Sequence, residues 1–327
     1  MTTLSAVQNS VREFPNKTPS SVPSIASSAM LCELSISTWT GRKKDKRASE
    51  QVTYTNNASA GVANVSKKLL GDCDELIAVQ KFTASIRNMH YAMTMPWSDT
   101  GLRLLPTVQY FKYHEAMTEL QNEYERLVNM FLHEYDNEII NSQLKLGDLF
   151  DSSEYPSADS LSSKFGFRLS YVPLPDAGDF RIDVGTDATN QIKSEYESYY
   201  SAQLQTAMND VWKRVYEKLQ VMSERLDYTD NFVEEVYEAK NGKMRTRRLN
   251  KGAKKFHATL VTNVLDMAEL LNVCNVANDA QMTAMATKLA QTLEGITPDA
   301  LREDAYLRAE TKRTLDDVIK SLPSLDF

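Results

Sequence analysis

The residues from Lys240 to Lys255 place eight lysines and arginines in one short stretch that contains no acid. Flexible basic side chains reach phosphates and displace condensed counterions, which gives affinity for a polyanion without a choice of sequence. A second run, Arg42-Lys43-Lys44-Asp45-Lys46-Arg47, holds five bases and one acid and lies just after Trp39. An aromatic beside cations is the combination that single-stranded nucleic acid needs, because bases stack while the backbone is neutralised. Trp97, in Pro96-Trp97-Ser98, is a second candidate for stacking. The candidate nucleic-acid contacts are therefore Arg42, Lys43, Lys44, Lys46, Arg47, Lys243, Arg245, Arg247, Arg248, Lys251, Lys254 and Lys255, with Trp39 and Trp97 as stacking groups. Each has a plainer reading beside it: a solvated loop for the basic runs, a core position for either tryptophan. The whole chain carries a net charge of −7, so the bases are concentrated on an otherwise acidic body. That unevenness suits local contact with a polyanion and argues against a general nucleic-acid coat.

Other chemistries find little footing. There is no GxxxxGK[ST] phosphate loop, no Gly-rich dinucleotide turn after a strand and no GxSxG elbow. No cofactor is implied. His114-Glu115 and His133-Glu134 each open like a zinc-protease helix, but neither has a second histidine four residues on. The four histidines, His90, His114, His133 and His257, are scattered, and no metal site is expected from them. Cys32, Cys73 and Cys274 are odd in number and far apart, which fits neither a disulfide framework nor a metal knuckle. Pro175-Asp176 with Glu238-Ala239-Lys240 superficially matches a metal-nuclease signature across a very wide gap. Asp148, Asp151 and Glu154 also cluster, in a segment that reads as a solvated loop. The expectation is a protein that is not an enzyme.

The elements that would position these groups are mostly helices. From Asp187 to Leu226 there is no proline or glycine, and apolar residues recur every three or four positions at Ile192, Tyr196, Tyr200, Leu204, Met208, Val211, Val215, Leu219, Met222 and Leu226. That spacing predicts one long spine helix, covered on one side by other elements or by another subunit. A second long helix is predicted from about Val108 or Tyr113 to Ile140. A helical pattern also covers 62–93, broken near Gly71, and residues 48–61 read as a polar loop. Cys32, Leu34 and Ile36 alternate with polar residues and predict a strand. Phe165 to Val184 predicts a hairpin that turns at Pro173–Gly178. Residues 232–239 read as one or two helical turns, and the basic run after them as a flexible loop or a basic hairpin. In the C-terminal third, Thr297-Pro298-Asp299 predicts the start of a last helix running to about Leu322. The boundaries that follow are a disordered tail over 1–29, an α+β core over 30–230, a linker with the basic loop over 231–255, and a helical region over 256–327. The fold class is α+β, mostly α-helical: a small antiparallel sheet or hairpin packed on the spine helix, with a C-terminal helical bundle.

The stretch Leu34-Ser35-Ile36-Ser37-Thr38-Trp39-Thr40-Gly41-Arg42-Lys43-Lys44-Asp45 resembles the N-terminal signature of an uncharacterised phage and integrative-element family, a domain of unknown function. Tyr124, Val128, Phe131 and Tyr135, followed by Phe165-Gly166-Phe167-Arg168-Leu169, are similar in order, so the resemblance spans roughly 30–230. It implies a gene neighbourhood of DNA-recombination functions, or of MoxR-type AAA+ ATPases with von Willebrand-type partners, and it carries no catalytic residues. A looser, architectural similarity is to single-strand annealing proteins of the RecT/Redβ/Rad52 type, which set a hairpin and a long helix beside a basic groove.

The first expectation is a non-enzymatic, single-stranded DNA-binding protein of a phage or mobile element. It would self-associate along the spine as a homo-oligomer and take part in annealing or recombination. The alternative is an adaptor or assembly subunit of an AAA+ ATPase system. A metal-dependent nuclease rests only on the scattered acids. No apolar run is long enough to span a membrane and the N-terminus lacks a signal-peptide pattern, so the expected setting is the cytoplasm of a bacterial host cell.

Overall fold

The structure, a computed structural model, describes residues 25–174, 186–238, 244–250, 252 and 259–323. The alternation around Cys32 forms a strand, Ala29–Ser37 (β1). Order begins earlier than the expected tail boundary. Ile25 is buried, and its backbone N–H donates to the Tyr200 hydroxyl at 3.4 Å. One isoleucine with a place in the core is enough to hold the four residues before the strand, although the stretch around it is polar in composition. Residues 1–24 lie outside the described part.

Arg42–Asp45 (β2) follows β1 and leads directly into a helix, Lys46–Thr55 (α1). Much of the segment expected as a polar loop is therefore helical. It has no apolar stripe to betray it, but Asp45 caps it by accepting from the Ala48 N–H at 2.9 Å. Val65–Lys68 (β3) pairs antiparallel with β2. The helical pattern expected from Val62 begins only at Asp74, as Asp74–Met93 (α2). Met95–Pro96 (β4) and Arg103–Pro106 (β5) precede the second long helix, Tyr110–Leu146 (α3), which runs six residues past Ile140 to a Gly147 cap. Ala158–Ser162 (α4) then leads to Gly166–Pro173 (β6). Strand β6 lies beside β1 along its whole length, from Met30 opposite Pro173 to Ser37 opposite Gly166. The return strand expected over Phe180–Val184 falls outside the described residues.

The spine is Thr186–Leu226 (α5). After it come two strands, Phe232–Glu238 (β7) and Met244–Asn250 (β8). The helical turns expected over 232–239 are thus a strand. Val233, Val236 and Tyr237 suit a pleated surface, and a paired strand opposite decides the matter. The C-terminal third holds Thr259–Val273 (α6), Ala280–Thr292 (α7), Pro298–Glu303 (α8) and Ala305–Lys320 (α9). The single last helix expected from Thr297 is two helices. Asp304 leaves the helical conformation, and its carboxylate accepts from the N–H groups of Tyr306 and Leu307 at 2.8 and 3.0 Å, which starts α9 afresh.

The fold is α+β and mostly helical, with an antiparallel sheet in the order β4-β5-β1-β6. This sheet divides two buried cores. Ala29, Leu31 and Leu104 join the core of α5, α6, α7 and α9, while Cys32 and Leu105 join the core of α2 and α3. Successive strand residues point to opposite faces, so β1 and β5 serve both cores. On α5 the side chains from Tyr200 to Leu226 at the predicted stripe are buried, covered by β4, α6 and α9 of the same chain. Each contributes about 1.5–3 kcal/mol by leaving water. From Tyr200 onward the face proposed from sequence as a self-association surface is therefore filled internally. No helix among the described residues is long and apolar enough to cross a membrane.

Candidate nucleic-acid interface

The first basic run occupies β2 and the start of α1. Arg42, Lys43, Lys44, Lys46 and Arg47 are all exposed. In the β2–β3 ladder, Arg42 stands opposite Lys68 and Lys43 opposite Lys67. Like charges directly opposite in a ladder are destabilising. The β3 lysines are relieved: Lys67 pairs with Glu154 at 2.7 Å and approaches Asp45 at 4.0 Å, and Lys68 pairs with Asp72 at 2.9 Å. The five bases of β2 and α1 are not, since none of them forms an ion pair with a described carboxylate. Gly41 sets the position of β2. Its φ of +64° suits glycine, and a Cβ there would lie 2.8 Å from a Leu76 methyl, so any other residue would push the strand outward.

The second basic run is built differently. Arg245, Arg247 and Arg248 lie on β8, antiparallel to β7, with Glu235 opposite Arg247 and Glu234 opposite Arg248. Arg247 donates to the Glu235 carboxylate at 2.8 and 2.5 Å and lies 5.0 Å over the Tyr237 ring. At 244–250 the run is neither a loop nor a hairpin of its own but a single strand paired with the acidic β7, and part of its charge is neutralised. Lys243, Lys251, Lys254 and Lys255 lie outside the described residues. The two basic segments do not share a surface element: β2 flanks the core of α2 and α3, whereas the β7–β8 ribbon follows α5 in the other core.

Neither tryptophan stands free to stack. Trp97 is 5% exposed and meets Tyr200 edge-on at 5.3 Å. Trp39 is half-buried against Phe131 at 6.2 Å and Tyr135 at 5.9 Å. Trp97 is a buried packing group, and the stacking role assigned to it is corrected; Trp39 packs in part on Phe131 and Tyr135. An exposed aromatic on the same helix as Lys46 and Arg47 is Tyr54, 86% exposed near the end of α1. It is two helical turns from Arg47, roughly 10 Å along the helix. Its polar segment, 48–61, carries no apolar stripe that would predict a helix.

Glu154 is held by Lys67, and Asp151 accepts from the Ser153 N–H at 2.9 Å. Those hydrogen bonds from Ser153 hold the Asp151 carboxyl below its ordinary range. Glu238 ends β7, and Asp176, the other member of the nuclease-like pattern, lies outside the described residues. Among the described residues no cluster of His, Cys, Asp or Glu could hold a metal ion. Burial pushes the thiols of Cys32, Cys73 and Cys274 up to about 12, 11 and 12, so none is a thiolate at neutral pH. His90 is buried with its Nδ1 2.7 Å from the Tyr113 hydroxyl, a core hydrogen bond. A cleft of about 1020 Å3 lies between α2, α5 and α6, lined by Arg103, Lys112, Arg214 and Lys218 together with Asp210, Glu217, Asp266 and Glu269. Its bases and acids balance, with Arg214–Asp210 at 2.6 Å and Lys112–Glu269 at 3.3 Å, so it offers no bias toward an anion.

No protein family, curated protein or solved structure matches the chain.

Proposed function

We propose that the protein is a non-enzymatic nucleic-acid-binding protein that grips single-stranded DNA on the surface formed by β2 and α1. The observation that carries this reading is that Arg42, Lys43, Lys44, Lys46 and Arg47 stand exposed with no ion pair to a described carboxylate, on a body of net charge −7. Keeping like charges face to face across β2 and β3 costs stability. A bound phosphate chain repays that cost by releasing counterions. Tyr54 supplies an exposed ring on the same helix as Arg47, where a base can stack. The β8 arginines contribute less, because β7 neutralises part of their charge. A place in annealing or recombination is the setting in which such binding would be used.

The test is fluorescence anisotropy with labelled single-stranded oligonucleotides of several sequences over a range of salt. The triple variant Arg42→Gln, Lys44→Gln, Arg47→Gln is expected to weaken binding alike for every sequence. It should also make the salt dependence shallower by about two, from a slope of roughly −0.7 per neutralised phosphate on single strands. Wild-type affinity and slope in the triple variant would remove this surface from consideration. An AAA+ partner recovered from the native host without nucleic acid would favour the adaptor role instead.

A further inference from the structure

The β7–β8 ribbon stands apart from the rest of the fold. No other described element packs substantially against it, and neither outer edge pairs with a described strand. An isolated two-stranded ribbon is marginal in water, and an open edge is a template for another strand. Proline and lysine, which blunt many edges, are absent from both strands, and each strand carries charges of one sign only. Exposed apolar side chains remain on it, Val236 at 60% and Met244 at 65%.

The two edges differ in charge. Strand β7 reads Phe-Val-Glu-Glu-Val-Tyr-Glu, with three acids and no base, and β8 reads Met-Arg-Thr-Arg-Arg-Leu-Asn, with three arginines and no acid. Within the ribbon this complementarity is already used, with Glu235 bound to Arg247. We infer that the ribbon is an assembly edge for a second copy of this chain, β8 of one molecule adding to β7 of the next. Strands β7 and β8 are antiparallel, so a neighbour displaced sideways in the same orientation brings its β7 antiparallel to β8, repeating the pairing inside each ribbon. Joining like edges would set acid against acid or arginine against arginine. The contact is therefore head-to-tail and leaves each end open for a further copy, which gives a ring or a filament in preference to a two-fold dimer. This does not depend on nucleic-acid binding by β2 and α1.

Sedimentation velocity on the full chain, over a range of concentration and salt, tests it. Wild type is expected to form species larger than two chains, more so at low salt. The one-sided variant Glu234→Arg, Glu235→Arg should lose them. The swapped variant Glu234→Arg, Glu235→Arg, Arg247→Glu, Arg248→Glu keeps complementary charges across its own ribbon and so guards against simple misfolding. It should assemble with itself but not with wild type. Three outcomes would overturn the inference: a wild-type monomer under all conditions, free co-assembly of swapped and wild-type chains, or a one-sided variant that assembles like wild type. If Arg245→Glu, Arg247→Glu abolishes oligonucleotide binding and leaves assembly intact, the ribbon belongs to nucleic acid and the inference also fails.

Discussion

Arg103 and Arg214, from β5 and α5, donate to one acceptor, the carbonyl oxygen of Thr94, at 3.1 and 2.8 Å. Thr94 caps the C-terminal end of α2, where backbone carbonyls lack helical partners and a cation is favoured. Arg103 also holds the Thr94 hydroxyl at 2.7 Å, and Arg214 the Ala92 carbonyl at 3.1 Å. Burial, and then the neighbouring Arg214, pull the Arg103 guanidinium below its usual range. The pair fastens the spine to α2. Either Arg103→Met or Arg214→Met is expected to cost about 2 kcal/mol. The double variant should depart from the sum of the singles by at least about 0.5 kcal/mol, because the two share an acceptor. Urea denaturation of the four chains measures this, and strict additivity would contradict it.

Arg308 is the corresponding fastening below the ribbon. It is 3% exposed, donates to Asp230 at 2.8 Å and to the Leu301 carbonyl at 3.1 Å, and lies 4.1 Å over the Tyr228 ring. It thereby ties the segment between α5 and β7 to α8 and α9. Arg308→Met keeps most of the volume and loses these bonds. A destabilisation of roughly 3 kcal/mol or more is expected in chemical denaturation.

Burial, with a smaller contribution from the charge of Arg103, lowers the pKa of His90 to about 4. Unfolded, the same imidazole titrates near 6.5. Between these values the unfolded chain takes up a proton that the folded chain refuses, so stability is complete above about pH 6.5 and falls as the pH drops toward 4, by roughly 3 kcal/mol in all. Melting temperatures should decline between about pH 7 and pH 5, and the decline should be smaller in His90→Asn. An equal decline in both proteins would assign the effect to other groups.

Tyr54→Ala removes a ring that is 86% exposed, so folding stability should change by less than about 0.5 kcal/mol. Loss of a stacked base costs about 1–3 kcal/mol. Affinity for single-stranded oligonucleotides should therefore fall roughly tenfold while circular dichroism and melting are unchanged. Unaltered affinity would show that the ring is not in contact with DNA.

The parts of the fold that were legible in sequence are those where burial imposes a period. The stripe from Tyr200 to Leu226 and the face at Met117, Leu120, Tyr124, Leu127 and Phe131 repeat every three or four residues because each repeat is a side chain wholly or partly removed from water. The alternation at Cys32 to Ile36 is legible for the same reason. Helix α1 was not, since its order comes from one carboxylate cap and a mostly polar surface. Strand β7 was not legible as a strand because its residues carry no clean period. The candidate site was legible as charge and not as geometry. Counting bases found both runs, but only the pairing of Glu235 with Arg247, and the absence of such a pairing for Arg42 and Lys44 among the described residues, separates them. The tryptophans misled because an apolar ring beside cations has the same composition whether it faces solvent or a Phe131–Tyr135 pair.

The dividing sheet has a consequence for how the molecule comes apart. Leu31 belongs to one core and Cys32 to the other, so no strand boundary exists along which the halves could separate cleanly. Melting either side strips a wall from its neighbour, and the molecule is obliged to lose both in one cooperative step.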